Sequence, residues 1–234
     1  MKIALLGYGK MGKVIESIAL SRGHEITLKI DKDSGNYNLN SVDVAINFST
    51  PESAVENIRK ALVNNVPIIS GTTGWLSELE TIETLCKDKE GAFIYASNFS
   101  LGVNIFFELN KYLAKIMKNL TNYNVELEEI HHTQKLDAPS GTAITLAEGV
   151  IENSDYNSWE LAPAKDSKKL KIIAKRYDNV PGTHTVNYNS NIDQISLTHT
   201  AHNRKGFALG AVVAAEWIIG KKGVYTMNDV LNIK

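Results

Sequence analysis

Residues 1–31, M-K-I-A-L-L-G-Y-G-K-M-G-K-V-I-E-S-I-A-L-S-R-G-H-E-I-T-L-K-I-D, read as strand, glycine-rich turn, helix, strand and terminal acid. Residues 1–6 are a short apolar run. A helical pattern from about 13 to 21 places Val14, Ile15, Ile18 and Ala19 on one side, and residues 26–30 alternate as a half-buried strand does. A lone G-x-G-x-x-G is a weak signal, but inside this unit it is the dinucleotide-binding fingerprint. Gly7 permits the tight turn, Gly9 admits the pyrophosphate, and Gly12 allows close packing of helix on strand. Asp31 follows at about the expected twenty residues and is placed to accept hydrogen bonds from a ribose. An acid there favours NAD, whereas the adjacent Lys32 could accommodate the extra phosphate of NADP, so NADH and NADPH both remain open.

The α/β alternation continues beyond this unit. Residues 42–48 form a buried strand, and Thr50 with Pro51 caps a helix running through Val63. Residues 66–70 and 92–96 are further strands, with a helix over 78–87 between them. The loops that follow these two strands, Gly71-Thr72-Thr73-Gly74-Trp75 and Ser97-Asn98-Phe99-Ser100-Leu101-Gly102, should face the same cleft as the first glycine turn, because parallel sheets place ligands at the carboxyl ends of strands.

After Val103 the pattern changes: a helix over 104–117 is followed by strand-like runs at 125–130, 170–174, 183–188 and 194–200, the last two joined by a hairpin at 189–191. An apolar helix at 207–219 and a short one at 228–231 close the chain. The expected fold is α/β, a Rossmann-like N-terminal parallel sheet with a second α+β domain carrying a mixed or antiparallel sheet. The expected division is 1–103 plus 207–234 for dinucleotide binding, with the last helix returning to the first domain, and 104–206 for substrate binding and oligomerisation.

The second domain holds the densest chemistry, in E-I-H-H-T-Q-K-L-D-A-P-S-G-T-A at 129–143. Pro139 suits an early helix position, which would leave the N–H groups of Ser140, Gly141 and Thr142 free at a helix start. Free N–H groups and the positive end of the helix dipole together hold a carboxylate or phosphate. Lys135 adds a mobile cation, and His131 and His132 can give or take a proton near neutral pH. If the strand runs through both histidines, their rings face opposite sides and have different roles. Adjacent histidines cannot easily face one metal, the chain has a single cysteine, and no H-E-x-x-H occurs, so no metal is expected. His184, His199 and His202 stay unassigned; Arg204 and Lys205 could meet an anion or be surface charges.

Composition narrows the class. A net charge of −1 gives no support to a nucleic-acid partner, and the lysine-rich patch at 165–175 reads as solvated surface. Cys86 alone excludes an intramolecular disulfide, no signal peptide is recognisable, and no apolar run reaches membrane-spanning length; a cytoplasmic location is expected. The absence of G-x-S-x-G and Walker-type loops disfavours hydrolases and kinases. A nicotinamide fold with an anion-binding, proton-donating loop points to hydride transfer onto an anionic, unsaturated substrate.

Five stretches together resemble the dihydrodipicolinate (4-hydroxy-tetrahydrodipicolinate) reductase family over nearly the whole chain. They are G-Y-G-K-M-G at 7–12, G-T-T-G at 71–74, A-S-N-F-S-L-G-V-N at 96–104, the loop at 129–143, and H-T-A-H-N-R-K-G-F-A-L-G-A-V at 199–212. The resemblance implies NADH- or NADPH-dependent reduction of a small cyclic dicarboxylate in diaminopimelate and lysine biosynthesis. It implies that His131 and Lys135 are the acid/base residues, and that His132 and the Gly141–Thr142 backbone bind substrate with Ser140 beside them. Cofactor contacts would fall on Gly7, Tyr8, Gly9, Lys10, Met11 and Gly12, on Asp31 with Lys32 beside it, on Gly71, Thr72 and Thr73, and on Ala96, Ser97, Asn98 and Phe99. A homotetramer built through the second-domain sheets is implied as well. Only ten residues separate Asp31 from Val42, a short adenine-side segment for this pattern. The competing readings are another Rossmann-type imine or amino-acid dehydrogenase, and a non-catalytic NAD(P)-sensing protein.

Overall fold

The computed structural model describes residues 1–163, 166–203 and 205–233. Lys165 of the lysine-rich patch and Arg204 therefore lie outside the described residues. In chain order the elements are β1 (Lys2–Leu6), α1 (Lys10–Ser21), β2 (Glu25–Ile30), β3 (Val44–Asn47), α2 (Pro51–Val63), β4 (Ile68–Ser70), α3 (Leu79–Asp88) and β5 (Ala92–Tyr95). There follow α4 (Leu101–Met117), β6 (Asn124–His131), α5 (Gly141–Ile151), β7 (Ser158–Leu161), β8 (Lys169–Arg176), β9 (Gly182–Asn189) and β10 (Gln194–Ala201). The chain ends with α6 (Lys205–Ile218), β11 (Gly223–Tyr225) and α7 (Met227–Val230). It divides into two compact units, Met1–Leu101 with Lys205–Lys234, and Gly102–Arg204.

The first unit is a parallel six-stranded sheet in the order β11-β5-β4-β3-β1-β2. β3 lies inside the sheet and all four of its residues are buried, as a parallel strand covered on both faces requires. β2 is an edge strand and alternates, with Ile26, Leu28 and Ile30 packed and the residues between them exposed. Helix α6 joins the core on one face: Ala208, Ala211, Val212, Ala214, Ala215 and Ile218 pack in the same cluster as Ile3, Leu5 and Ile46. Its small residues permit close approach, since a Cβ at Gly210 would stand 1.7 Å from the Phe99 carbonyl oxygen. The helix that the sequence placed at 13–21 begins at Lys10, because Gly9 already serves as its N-cap. Thr50 and Pro51 cap and open α2 as expected.

The second unit is a mixed five-stranded sheet, β10-β9-β6-β8-β7, in which β6 pairs antiparallel with β9 and parallel with β8. α4 and α5 cover one face. Phe106, Ala114 and Met117 from α4 and Ala143, Leu146 and Val150 from α5 meet Leu127, Leu170, Ile172 and Val186 of the strands. The opposite face is polar: Lys171 bridges to Glu126 at 2.6 Å and Lys175 to Glu128 at 2.5 Å. β7 and β11 had no clear sequence signal; each is three or four residues long and lies at a sheet edge, where little apolar patterning is needed.

Candidate active site

In the first unit the chain passes from β1 to β2 on one side and returns to β3 on the other, so the sheet's order reverses beside β1. That reversal, at the carboxyl ends of the strands, is where open α/β sheets bind ligands. The glycine turn lies there. Gly7 has φ +103°, and a Cβ on it would stand 2.1 Å from the Phe48 carbonyl oxygen; a Cβ on Gly12 would stand 2.4 Å from the Gly7 oxygen. Neither position has room for a side chain. Gly9, by contrast, has open space beside it. The three glycines thus divide in two: Gly7 and Gly12 have no room for a Cβ, and Gly9 has open space.

A cleft of about 300 Å³ at this edge is lined by Met11, Phe48, Ser49, Pro51 and Gly71, Thr72 and Thr73. A buried polar cluster holds its walls: Asn47 donates to Ser70 Oγ at 3.0 Å and accepts from Ser49 Oγ at 2.8 Å and Asn57 Nδ2 at 3.1 Å, while the Ser49 N–H donates to Thr72 Oγ1 at 2.9 Å. The Asp31 carboxylate accepts the Lys32 N–H at 2.8 Å, which fixes it at the end of β2. The Tyr8 hydroxyl is hydrogen-bonded to Glu16, which in turn pairs with Lys29.

In the second unit β6 ends at His131, whose side chain is buried, and the 132–140 segment leads into α5. Ser140 is the N-cap: its hydroxyl accepts the Ala143 N–H at 3.2 Å and lies 3.1 Å from His184 Nε2. Among the described residues the N–H groups of Gly141 and Thr142 have no hydrogen-bond partner, and nothing lies within 4 Å of where a Gly141 Cβ would be. The Lys135 ammonium sits 2.8 Å from Asp137, whose carboxyl is held below its ordinary range chiefly by that contact. His132 lines a pocket of about 470 Å³ with Thr133, Gln134, Asp178–Pro181, His202 and Asn203.

Behind this loop lies a carboxylate with no solvent exposure, Glu129. It receives the Ser140 N–H at 3.1 Å and Arg176 Nη2 at 3.2 Å, and stands 3.4 Å from His131 Nδ1 and 3.7 Å from His184 Nε2. Burial alone would raise its pKa, but His131, His184 and Ser140 outweigh that and hold it far below the carboxylate range. Burial pushes the His184 pKa down, only partly offset by Glu129. Stripping partners from such a carboxylate costs about 3–5 kcal/mol.

Comparison with known proteins decides the family. The model described as "Dihydrodipicolinate reductase, N-terminus" matches residues 1–99, and "Dihydrodipicolinate reductase, C-terminus" matches residues 102–231. The chain belongs to the dihydrodipicolinate reductase family. It is 56% identical to 4-hydroxy-tetrahydrodipicolinate reductase of Christiangramia forsetii, over 99% of this chain and 98% of the relative. It is 35% identical to that of Methanocaldococcus jannaschii, over 98% and 81% respectively. The fold is similar to that of a dipicolinate-bound dihydrodipicolinate reductase from Paenisporosarcina sp. TG-14, with a TM-score of 0.80, 24% identity and 97% of each chain covered. The reductase catalyses NADH- or NADPH-dependent reduction of 4-hydroxy-tetrahydrodipicolinate in lysine biosynthesis. Among the described residues of the reductase, no helix is long and apolar enough to cross a membrane.

The reductase's geometry corrects two sequence expectations at the start of α5 and places the other named residues as follows. Pro139 precedes the N-cap and so stands outside α5. The Ser140 N–H is not free, because the N-cap residue is extended (φ −68°, ψ 156°) and its N–H turns back to Glu129. Phe99 is 1% exposed: its ring packs 5.8 Å from Phe48 and its carbonyl lies against Gly210 of α6. Ala96–Phe99 does not line the cleft at Gly71–Thr73, although the Ala96 N–H reaches the Ser70 carbonyl at 3.2 Å. His131 and Lys135, expected to act together, contact different partners: His131 faces Glu129 and His184, while Lys135 pairs with Asp137.

Sequence reading missed Glu129, Arg176 and the contact of His184 with the site. A signal was present for the first. Leu127, Glu129 and His131 share one parity of the strand, which puts a carboxylate in the core register. The atoms of Glu129, His131 and His184 lie within 4.8 Å of one another, as a metal-ligand set would. Arg176 sits on one oxygen of that carboxylate and the Ser140 N–H on the other, the one the histidines face, so protein groups already partner the charge.

Proposed function

We propose that, in the family reaction, the second unit binds the dicarboxylate and delivers the proton, with His131 and Lys135 as acid/base residues. His132, Ser140 and the Gly141–Thr142 backbone hold the substrate. The observation that carries this reading is the free pair of N–H groups at the start of α5, on a helix whose cap is bonded to Glu129 and His184 beside His131. N–H groups at a helix start favour a carboxylate, and Gly141 leaves its approach unobstructed. The ammonium of Lys135 supplies the proton as negative charge develops on the conjugated nitrogen side of the substrate, with His131 as the second carrier. Across the reaction a hydride and a proton enter, and the 4-hydroxyl leaves as water.

The first unit holds NADH or NADPH on the 7–12 turn, where Gly9 leaves space, with Asp31 and Lys32 at the ribose, Gly71, Thr72 and Thr73 along the cleft, and Ala96, Ser97, Asn98 and Phe99 beyond it, after β5. When bound, the cofactor supplies the hydride. The buried, unpaired Cys86 is consistent with a reducing cytoplasm.

Binding of pyridine-2,6-dicarboxylate, a planar mimic of the substrate, tests the substrate assignments. Titration with cofactor present should show His132→Ala weakening it by roughly tenfold or more, about 1.4 kcal/mol, with NADH affinity unchanged. Equal affinity in variant and wild type would remove His132 from the site.

The homotetramer is part of the same proposal, formed through the open face and edge of the second sheet. β10 is an eight-residue edge strand, largely exposed, of the kind proteins normally cover or pair. Light scattering should give the mass of four chains; a monomer mass would remove this assignment.

A further inference from the structure

We propose that Glu129 is the positioning residue of the proton-delivery site: one buried carboxylate that sets the His131 ring, the start of α5 and, through Arg176, the Lys135 segment. The inference rests on the reading of His131 and Lys135 as proton carriers.

Glu129 lies on β6, paired with Ala174 of β8 on one side and His184 of β9 on the other. The strands on both sides and the α5 N-cap each direct a polar group at it: Arg176 from β8, His184 from β9 and the Ser140 N–H. A carboxylate in an apolar core is tolerated only when fully partnered, and here each partner also touches the site. Among the described residues His131 Nδ1 is buried without a hydrogen bond, and the carboxylate 3.4 Å away is the acceptor it faces. An acid behind a histidine fixes which ring nitrogen carries the proton and where the other points. The Nε2 edge passes over Gly182, where a Cβ would stand 3.0 Å away, so that strand leaves the ring its room.

Arg176 extends this control to the lysine. Its Nε donates to the Lys135 carbonyl at 3.3 Å, and its Nη2 to the Asp137 carbonyl at 2.6 Å as well as to Glu129. The guanidinium thus holds the backbone on both sides of Leu136 while anchored on the same carboxylate. His184, 3.1 Å from the Ser140 hydroxyl, secures the cap in the same way. Histidine, lysine segment and anion-binding N–H groups therefore share one anchor.

Glu129→Gln keeps the shape and removes the charge. Its expected effect is a fall in kcat of about 10-fold or more, the lower end of what loss of a group supporting a functional histidine costs. KM for NADH should stay within about twofold. The ring-nitrogen NMR signals of His131 should move from a Nδ1-protonated pattern toward a mixture of tautomers, a change that mere loosening of the fold would not confine to that ring. Arg176→Lys, which keeps the charge but not the fork, should lower kcat while leaving the His131 tautomer in place; it decides the matter if Glu129→Gln does not fold. Turnover within about twofold of wild type in the folded variants, or an unaltered His131 tautomer in Glu129→Gln, would overturn the proposal. Wild-type turnover in Lys135→Ala would instead defeat the underlying reading, and the tautomer measurement does not depend on it.

Discussion

Lys135→Ala is expected to lower kcat by about 10²–10⁴-fold, the usual contribution of a positioned general acid, while leaving the Kd for NADH and NADPH unchanged. The lysine sits in a loop of the second unit, its ammonium 2.8 Å from Asp137 and its carbonyl held by Arg176. None of the cleft residues at the glycine turn belongs to that loop. Truncation should therefore remove the proposed proton source without touching the proposed cofactor cleft. The side chain is part of a loop between β6 and α5 rather than of the apolar core, so its loss should alter Tm little. Steady-state kinetics with cofactor titration checks this. A parallel loss of turnover and cofactor affinity would make Lys135 structural.

The second large effect separates two glycines three residues apart. Gly9→Ala should fold normally: Gly9 has φ −79°, which any residue adopts, and no neighbour within 4 Å of an added Cβ. The methyl would fill the space assigned to the pyrophosphate, so Kd for NADH should rise by about tenfold or more, about 1.4 kcal/mol. Gly12→Ala should fail differently. Its Cβ would stand 2.4 Å from a backbone oxygen that cannot move aside as a side chain can. Overpacking of this kind costs about 1–3 kcal/mol, and each kcal/mol lowers Tm by about 2–4 °C for a protein this size. Calorimetry and cofactor titration on both variants distinguish the cases. Unchanged NADH affinity in Gly9→Ala would remove the glycine turn from the cofactor site.

Much of this was readable from the chain because it is written in local chemistry. The strand, turn and helix at 1–31 carry their own periodicity and glycine spacing, and Thr50-Pro51 is a helix start wherever it occurs. The loop at 129–143 stood out because two histidines, a lysine and a helix start lie close together in sequence. What stayed hidden depends on partners distant in the chain. Arg176 reaches the site only because β8 pairs with β6 in the register that sets it beside His131, and His184 only because β9 pairs on the other side. Ser140 looked like a free N–H donor because its competing acceptor lies eleven residues back, across the loop. Glu129 was legible in principle from its parity with Leu127, but an acid in a core register is informative only once the strand's inward face is known. The burial of Phe99 was hidden for the same reason: α6, more than a hundred residues later, packs against its backbone.

Chemical rescue of Lys135→Ala bears on the proton-delivery claim without intermediaries. Substrate-dependent oxidation of NADH by the variant would be followed while methylammonium or ethylammonium is added. Turnover should rise with the concentration of the protonated amine, approaching a plateau, and the wild-type enzyme should not respond. A variant that binds cofactor and pyridine-2,6-dicarboxylate normally, yet turns over as fast as wild type or ignores the amines altogether, would contradict Lys135 as the proton donor.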